Sequence, residues 1–274
     1  MRRNILFAAI FLTGLFFLTG CDDKDHIMNF DNTPPAVPTG VQTSNGDGNV
    51  YITWEPNRDK DIAGYNVYYS NSYDGKYKLI GSTETTGFYD NNLTNGQKYY
   101  YAVTAYDYND NESALSREDV YGIGRPQRTD QKVYEYKRFP SSGGYSCATF
   151  SVVTYNSNAS DFYYEVDSLG YAKLNVFTDS DIADMGATNS IYDITAAPTS
   201  GWSPTYQTSC VPGHTYVIRT MDMHFAKIRV KDITRDRVNF DVAYQTIAYE
   251  EALSPGQKPG PRYSFPAASN RIAQ

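Results

Sequence analysis

Short runs of alternating side chains, separated by turn residues, constrain the fold of this chain most strongly. Val50–Trp54, Gly64–Tyr69 and Lys98–Ala105 alternate in this way and are rich in tyrosine and valine, which favour strands. Asparagine, aspartate and glycine cluster between the runs, as expected of a β-sandwich with a turn every ~8–12 residues. Successive side chains of a strand point to opposite faces of its sheet, so one alternate set should be buried. The predicted inward set is Trp54, Tyr65, Val67, Tyr69, Tyr99, Tyr101, Val103 and Ala105.

The same segment resembles a fibronectin type III domain between about residues 38 and 124. The resemblance rests on Pro38, on Trp54, on the strand Gly64–Tyr69 and on the corner Leu93–Tyr99. It implies a sandwich of two antiparallel sheets over residues 37–124. It also implies that the hydroxyl of Tyr99 binds backbone near Leu93, as the corner tyrosine of such sandwiches does.

A second β domain is predicted over residues 128–250, after the linker Gly122–Pro126. No amphipathic helix is evident there, although Asp179–Met185 has the pattern of one short helical turn. The whole chain is therefore predicted to be all-β, with the fibronectin-like sandwich followed by a second antiparallel domain. Strands are predicted near Gln131–Phe139, Cys147–Tyr155, Phe162–Val166, Tyr171–Phe177, Tyr216–Thr220, Phe225–Asp232 and Val238–Ile247.

The segments Tyr216–Val230 and Val238–Gln245 have the pattern of a three-stranded antiparallel meander with a tight turn at Asp222-Met223. They resemble the C-terminal strands of haemophore-like, haem-binding surface lipoproteins. That resemblance implies an iron held between histidine or methionine side chains. The candidate ligands are His214, Met221, Met223 and His224. None of them matches a ligand motif of that family, and strand alternation turns His224 away from Met221 and Met223. A chain without a cofactor and a haem-binding chain are therefore both left open.

The N-terminus resembles a bacterial lipoprotein signal peptide. Arg2 and Arg3 precede the apolar run Ile5–Leu18, and Leu18-Thr19-Gly20-Cys21 has the order of a lipobox. The run has 14 residues, whereas a membrane-spanning helix needs ~20. The resemblance implies removal of residues 1–20 and lipidation of Cys21 with fatty acyl chains such as palmitate, which would anchor the protein to a membrane.

Residues 21–36 are predicted to be a polar tether, and residues 251–274 an irregular tail. Asp22, Asp23 and Asp25 follow the lipidated cysteine. In some Gram-negative lineages such a cluster directs export to the cell surface, and in others an aspartate at this place means retention in the inner membrane. We predict a lipid anchor in the outer membrane with the protein displayed at the cell surface.

The charge of the chain argues against nucleic acid as a partner, and its cysteines predict one disulfide. Removal of residues 1–20 takes away two arginines and no acidic residue, so the formal charge changes from −7 to −9. This acidity argues against nucleic acid as a partner. Cys147 and Cys210 are the cysteines left after Cys21. A disulfide between them is predicted for an oxidising envelope, and two separate buried thiols are the alternative.

No catalytic or metal-binding motif is evident in the sequence. His214 and His224 are the histidines after residue 37, and a Gly-x-Ser-x-Gly elbow is missing, so nucleophilic hydrolysis is not expected. No spacing typical of a zinc site occurs. Four carboxylates cluster loosely, as in many acidic loops: Asp167, Asp179, Asp181 and Asp184. The stretch Asp107–Glu112 suits an Asx-rich turn better than a calcium loop.

We predict a non-catalytic, lipid-anchored cell-envelope protein that acts in binding, adhesion or as a surface scaffold. Tyr68, Tyr100 and Tyr106 alternate away from the sandwich core, so they could dock the second domain, form an external binding face or have no role. One alternative is a surface lipoprotein that binds haem or another small ligand. Another is a polysaccharide-associated protein that uses exposed tyrosines and Trp202 to stack on sugars. The partners expected are the membrane, an envelope protein, a glycan or a small molecule.

Overall fold

Antiparallel strands supply nearly all the regular structure of residues 31–253, the part of the chain that the computed structural model describes. One 3₁₀-helix, Pro140–Ser142, is the only helical element in this range. No helix of the described range has both the length and the apolar character needed to cross a membrane. Residues 32–253 belong to one compact unit. The predicted lipidation site Cys21, most of the tether and residues 254–274 lie outside the described range.

The first domain is a sandwich of two sheets, as predicted, with the strand pairing of a fibronectin type III-like fold. Sheet 1 has the order β1-β2-β5 and sheet 2 the order β4-β3-β6-β7, and all their pairs are antiparallel. The strands are β1 (Gln42–Gly46), β2 (Asn49–Thr53), β3 (Ile62–Ser70), β4 (Lys78–Thr83), β5 (Gly87–Asn91), β6 (Lys98–Asp107) and β7 (Val120–Ile123).

The predicted inward residues fill the space between these two sheets. All eight belong to one apolar cluster, with Tyr69 at its partly exposed rim. Trp54 packs edge-on against Tyr65, with ring centroids 5.3 Å apart. The hydroxyl of Tyr99 accepts a hydrogen bond of 3.2 Å from the backbone N–H of Thr94, one residue from the predicted position. The alternation of the sequence therefore identified this core correctly.

The second domain is also a sandwich of two antiparallel sheets. Sheet 3 has the order β10-β9-β11-β12-β14, and sheet 4 the order β13-β15-β16-β17-β8. The strands are β8 (Gln127–Tyr134), β9 (Gly144–Ser146), β10 (Ser151–Val153), β11 (Phe162–Val166), β12 (Ala172–Asn175), β13 (Asp181–Ala187), β14 (Gln207–Ser209), β15 (His214–Arg219), β16 (Phe225–Ile233) and β17 (Arg237–Gln245).

Buried aromatic rings join sheets 3 and 4. Tyr145 of β9 and Phe162 of β11 pack on Phe240 of β17, with centroid distances of 4.9 and 5.5 Å. Leu174, from β12, is fully buried in the same cluster as residues from all five strands of sheet 4. Each such side chain contributes about 1.5–3 kcal/mol when it is removed from water, so this core holds the two sheets of the domain together.

The predicted meander of β15, β16 and β17 is confirmed. Its turn has Met221-Asp222 at the centre, one residue before the predicted position, because the N–H of Met223 donates to the carbonyl of Thr220. Met223 has φ = 63°, the left-handed conformation that a glycine adopts more easily. The short helical turn predicted at Asp179–Met185 was wrong. Asp181–Ala187 is a strand because Ile182 and Ala183 are buried by pairing of β13 with β15.

The predicted disulfide between Cys147 and Cys210 was wrong, because both cysteines are free thiols in the structure. Cys147 follows β9 and Cys210 follows β14, and two strands of sheet 3 lie between these. Neighbouring strands are spaced by ~4.8 Å, so the two strands are separated by ~14 Å, whereas a disulfide needs Cα atoms within ~7 Å. Burial raises the pKa of both thiols, so both stay protonated.

The chain after β17 returns to contact the first sandwich. Ala252 pairs with Ala196 and packs beside Tyr121 and Ile123 of β7. Leu253 is fully buried, and its N–H donates to the carbonyl of Thr195. These residues fall where the sequence predicted the irregular tail to begin. The two sandwiches are therefore held against each other by more than their linker.

Candidate functional site

Four aromatic rings form a patch on the outer face of sheet 3. We name Tyr136, Tyr155, Tyr163 and Phe177 the aromatic patch. Tyr163 lies at its centre, with ring centroids 5.0 Å from Tyr136, 5.8 Å from Tyr155 and 5.6 Å from Phe177. All four side chains are half-buried. They therefore present their rings to solvent while their positions are fixed by mutual packing.

Two glycines allow the patch to form. A Cβ on Gly143 would lie 2.5 Å from the Cα of Tyr136, and one on Gly144 would lie 2.8 Å from the Cα of Tyr155. Neither distance is tolerated between carbon atoms, so only glycine lets both segments come this close to the sheet. Gly144 also pairs with Tyr163 across β9 and β11. The patch therefore depends on a local backbone feature as well as on its own side chains.

The edge of the patch is charged on one side. The Nζ of Lys137 lies 5.4 Å from the ring centroid of Tyr136 and 2.7 Å from the Oε1 of Glu165. Partial burial raises the pKa of Tyr136 and of Tyr163 above the ordinary value, so both phenols are neutral at physiological pH. The hydroxyls of Tyr136, Tyr155 and Tyr163 have no hydrogen-bond partner within residues 31–253 and can bind solvent or a ligand.

A cleft of about 490 Å³ opens beside Phe177 at the start of β11. We call it the polar cleft, because hydroxyl, amide and carboxylate groups dominate its lining. Side chains that a polar ligand would meet there are Asn156, Asn158, Asp161, Asp179, Asp222 and Tyr244. Phe177 belongs to both this cleft and the aromatic patch, so the two features form one continuous surface.

Asp161 is the most perturbed acid of the polar cleft. Burial raises its pKa to about 6, and the negative charge of Asp222 adds to the effect. A hydrogen bond of 2.6 Å from the N–H of Cys147 to its Oδ2 acts in the opposite direction. A carboxyl group in this state exchanges its proton in mildly acidic solution, and it accepts or donates a hydrogen bond accordingly.

A second and larger cleft, of about 810 Å³, opens at the other end of β11. We call it the charged cleft, because Glu135, Lys137, Arg138, Asp167 and Arg235 line it together with the apolar Val166 and Ile233. The lining residues of the two clefts that are nearest along the chain, Asp161 just before β11 and Tyr164 within it, are three residues apart, which corresponds to ~10 Å in an extended strand. The aromatic patch thus lies on the strand that connects the two clefts.

The structure brings together some of the predicted ligand-binding residues at the polar cleft. Met221 lines this cleft and is 54% exposed. His224 stacks on Tyr244 with a centroid distance of 5.4 Å, and its Nδ1 lies 3.1 Å from the Oδ1 of Asp222. Met223 occupies the turn between them. His214 lies at the far end of β15, where its Nδ1 is 3.0 Å from Asp184.

This arrangement does not fit haem well. The macrocycle is large and apolar, whereas the polar cleft is lined mainly by serine, asparagine and aspartate. His224 is held between Asp222 and Tyr244, and His214 is too distant to act with it. The described residues of the cleft therefore suit a polar ligand better, and haem binding stays a prediction from the resemblance alone.

The predicted tyrosines of the first sandwich do not form one exposed patch. Tyr68 is 3% exposed, and its hydroxyl donates to the Oε1 of Glu112 at 2.7 Å. Tyr100 packs near Ala252 and Ile247 of the second domain, so it takes part in docking. The hydroxyl of Tyr106 covers Gly64. Trp202 stacks on Phe225 at 6.4 Å and lies on the outer face of sheet 4, away from the aromatic patch.

The four clustered carboxylates are engaged in separate contacts. Asp181 pairs with Arg219, Asp184 with His214, and Asp167 lies 3.4 Å from the Nζ of Lys173. Asp179 is exposed at the polar cleft. The predicted Asx-rich turn is confirmed, since the Oδ1 of Asp107 accepts hydrogen bonds from the N–H groups of Asn109 and Asn111.

Sequence analysis missed the aromatic patch. Tyr163 was within a predicted strand, but Tyr136, Tyr155 and Phe177 come from three other segments, and no periodic pattern links them. The pair Gly143-Gly144 was the one local signal, because adjacent glycines next to tyrosine-rich strands indicate a close approach of two chain segments.

Comparison with known proteins finds similarity to parts of carbohydrate-active enzymes. No family model matches the chain. An amylopullulanase of Thermoanaerobacterium saccharolyticum is 42% identical over 99 residues, which are 34% of this chain and 8% of that protein. The chain therefore spans less than a tenth of the length of this relative. A small part of that enzyme is similar to this chain, and its activity is not carried over by the match.

Two solved structures are similar to about a third of the chain. A Fn3-like protein from Clostridium thermocellum is 26% identical and covers 34% of this chain and 95% of its own, with a TM-score of 0.29. A β-1,2-glucanase from Parabacteroides distasonis is 28% identical over 34% of this chain and 14% of its own, also with a TM-score of 0.29. The fibronectin type III-like assignment of the first domain itself rests on its two sheets and their strand order.

Proposed function

We propose that this chain is a non-catalytic, polysaccharide-associated binding protein of the cell envelope, anchored by lipid on Cys21. The observation that carries the proposal is the aromatic patch of Tyr136, Tyr155, Tyr163 and Phe177. The second domain binds the sugar chain, and the fibronectin-like sandwich acts as a spacer that holds this domain away from the membrane.

The chemistry of the patch suits sugar rings. A pyranose has apolar C–H faces and an edge of hydroxyls, and aromatic rings can cover the faces while nearby polar groups bind the edge. The rings of the patch are half-exposed and rigidly packed, so little side-chain entropy is lost on binding. Their hydroxyls and the amides of Asn156 and Asn158 supply polar contacts alongside.

The length of the surface favours a polymer over a small ligand. The aromatic patch and the polar cleft share Phe177 and form one continuous surface. The charged cleft begins at Tyr164, three residues or ~10 Å along the strand from Asp161, so the combined surface is longer than one sugar unit. A region of an amylopullulanase is similar to a third of this chain, which supports association with polysaccharide. Starch-type α-glucans are therefore the first polymers to be tested.

The test is binding of the mature protein to immobilised or gel-embedded polysaccharide. Tyr163→Ala removes the central ring, which contacts the other three. We expect it to weaken binding about tenfold, which corresponds to a loss of ~1.4 kcal/mol. Tyr163→Phe keeps the ring and should retain most of the affinity.

Tyr108→Ala is the matched control, because Tyr108 is 77% exposed in the first sandwich and outside the patch. It should bind as the unchanged protein does. Two outcomes would rule out the patch as a sugar-binding surface. In one, the Tyr163→Ala and Tyr108→Ala variants bind polysaccharide equally well. In the other, the unchanged protein binds none of the polysaccharides tested.

The anchor is tested separately on the native protein from its host. We expect mass spectrometry to show an N-terminal Cys21 with acyl chains, and detergent-phase partitioning that is lost in Cys21→Ser. Surface display predicts that protease added to intact cells degrades the protein. An unmodified chain that still carries residues 1–20 would contradict the anchor without affecting the sugar-binding test.

A further inference from the structure

The polar cleft is lined by charged groups of one sign. Asp161, Asp179 and Asp222 line it, and none of the described residues of its lining is a lysine or an arginine. His224 lies beside the cleft, where its Nδ1 is 3.1 Å from the Oδ1 of Asp222. A concave surface that carries charges of one sign concentrates ions of the opposite sign. The cleft therefore favours a positively charged ligand.

A ligand in the cleft can reach all three carboxylates. Asp179 is exposed and makes no hydrogen bond or ion pair with residues 31–253. The side chain of Asp222 is 60% exposed, and Thr220 and His224 both contact its Oδ1, which leaves its Oδ2 open. Asp161 is partly exposed, and its Oδ2 accepts the one backbone hydrogen bond that its carboxylate makes within the described residues.

Three nearly buried hydroxyl side chains also line the cleft without a partner. Ser146, Ser180 and Tyr244 are 4%, 4% and 6% exposed. Their hydroxyls make no hydrogen bond with any residue between 31 and 253, and their oxygen atoms are not sealed from solvent. A largely buried hydroxyl without a partner costs free energy. A ligand that brings donors and acceptors into the cleft would satisfy these groups.

A metal ion is not the cation that this arrangement suits. The oxygens of three acidic side chains lie within 4.8 Å of one another at one place in residues 31–253, which is outside this cleft. Because Ca²⁺ holds its ligands at ~2.4 Å, the three carboxylates of the cleft are too far apart to bind one such ion together. An ammonium group has three N–H donors and binds carboxylates at longer range.

The other groups of the cleft indicate that the ammonium group belongs to a sugar. Asn156 and Asn158 supply amides, and the ring of Phe177 supplies an apolar wall. The same ring lies 5.6 Å from that of Tyr163, at the centre of the aromatic patch. A simple amine would use the carboxylates alone, whereas a chain of sugar rings also uses the amides, the hydroxyls and the aromatic wall.

We propose that the polar cleft binds a hexosamine unit with a free amino group, within a cationic polysaccharide. This inference rests on the proposed function and specifies its substrate class. The ammonium group donates to Asp161 and Asp222, and Asp179 adds negative charge from the exposed side. The hydroxyls of the unit bind groups such as that of Tyr244, its C–H face contacts Phe177, and the polymer continues onto the aromatic patch.

The experiment compares two oligomers that differ in charge. Calorimetry measures the affinity of the mature protein for an oligomer of glucosamine and for the N-acetylglucosamine oligomer of equal length, at low and at physiological salt. We expect the free-amine oligomer to bind about tenfold more tightly. This preference should decrease as salt rises.

Substitutions at the carboxylates test where the preference arises. Asp161→Asn should remove most of it and leave the affinity for the N-acetylated oligomer unchanged, at a melting temperature no lower than that of the unchanged protein. Asp179→Asn, at an exposed position that does not affect folding, should reduce the preference as well. Asp74→Asn is the matched control, because Asp74 is an exposed acid of the first sandwich, and it should have no effect.

Tyr244→Phe tests the hydroxyl groups separately. It removes a hydroxyl that has no partner among residues 31–253, so the melting temperature should not fall. The affinity for both oligomers should decrease severalfold, because the ligand loses a hydrogen bond that the protein does not use for its own fold.

Three outcomes would overturn the inference. The two oligomers could bind with equal affinity, the Asp161→Asn and Asp179→Asn variants could both keep the full preference, or Ca²⁺ alone could bind tightly and lose its binding in Asp161→Asn. The proposed function has its own test in the starch-type polymers. If Tyr163→Ala weakens binding to them, that function stands without this inference.

Discussion

At the scale of single residues, Asp161 links the polar cleft to the stability of the second domain. Its carboxyl group has an ordinary pKa of about 3.9 when the chain is unfolded, and burial raises that pKa to about 6 in the folded protein. Between these values the folded state binds more protons than the unfolded state. The free energy of unfolding should therefore fall as the pH rises from about 4 to about 6.

We expect Asp161→Asn to remove this pH dependence and to stabilise the protein at pH 7 by about 1–2 kcal/mol. The amide oxygen can still accept the hydrogen bond from the N–H of Cys147, and the repulsion with Asp222 disappears. Urea unfolding at several pH values between 4 and 7 provides the measurement. Asp179→Asn, at an exposed acid of the same cleft, serves as the control. If the free energy of unfolding of Asp161→Asn changed with pH as it does in the unchanged protein, this explanation would be wrong.

At the scale of the strands, alternation predicted most elements where one face is buried and the other is not. β2 and the first half of β17 are examples, because buried and partly exposed residues alternate along them. β15 was predicted from its β-forming residues instead, since Tyr216, Val217 and Ile218 are all buried and both of its faces are covered.

Elements defined by long-range pairing were not predictable in this way. β13 is a strand only because it pairs with β15, and its local sequence suggested a helical turn. β9 and β14 have three residues each, which is too short for a periodic signal. The disulfide prediction failed for a related reason: it required the strand order of sheet 3, which neither cysteine reveals locally.

The candidate site shows the same limit. Its centre, Tyr163, lies in a strand predicted with the correct bounds, Phe162–Val166. The residues around it come from separate segments that meet only when sheet 3 assembles. Of the residues proposed from sequence, Met221 lines the polar cleft and His224 lies next to it. The other side chains of that cleft are mainly hydroxyls, amides and carboxylates, which suit a polar ligand.

At the scale of the whole molecule, Glu250 lies where the two sandwiches meet, which the ion pair between Arg128 and Asp47 also bridges. Its Oε1 accepts hydrogen bonds from the hydroxyl of Tyr121 and the N–H of Ala252, at 3.3 and 3.2 Å. Its Oε2 lies 3.4 Å from the Nζ of Lys98. Tyr121 and Lys98 belong to the first sandwich, whereas Ala252 belongs to the segment that follows β17. One carboxylate thus connects both domains and the returning chain.

We therefore expect Glu250→Ala to uncouple the unfolding of the two sandwiches. The glutamate side chain is largely buried, so its loss leaves the Tyr121 hydroxyl and the Ala252 N–H without an acceptor and should cost about 1–3 kcal/mol. A single calorimetric transition of the unchanged protein should broaden or split into two in the variant, because each domain has its own core and can unfold alone. Glu251→Ala, at the exposed neighbouring position, should keep one transition.

If the spacer role is correct, the uncoupled variant should still bind polysaccharide, because the aromatic patch lies on sheet 3 and makes no contact with this interface. Identical calorimetric profiles for the Glu250 and Glu251 variants would show that the linker and the apolar contacts couple the domains without this carboxylate.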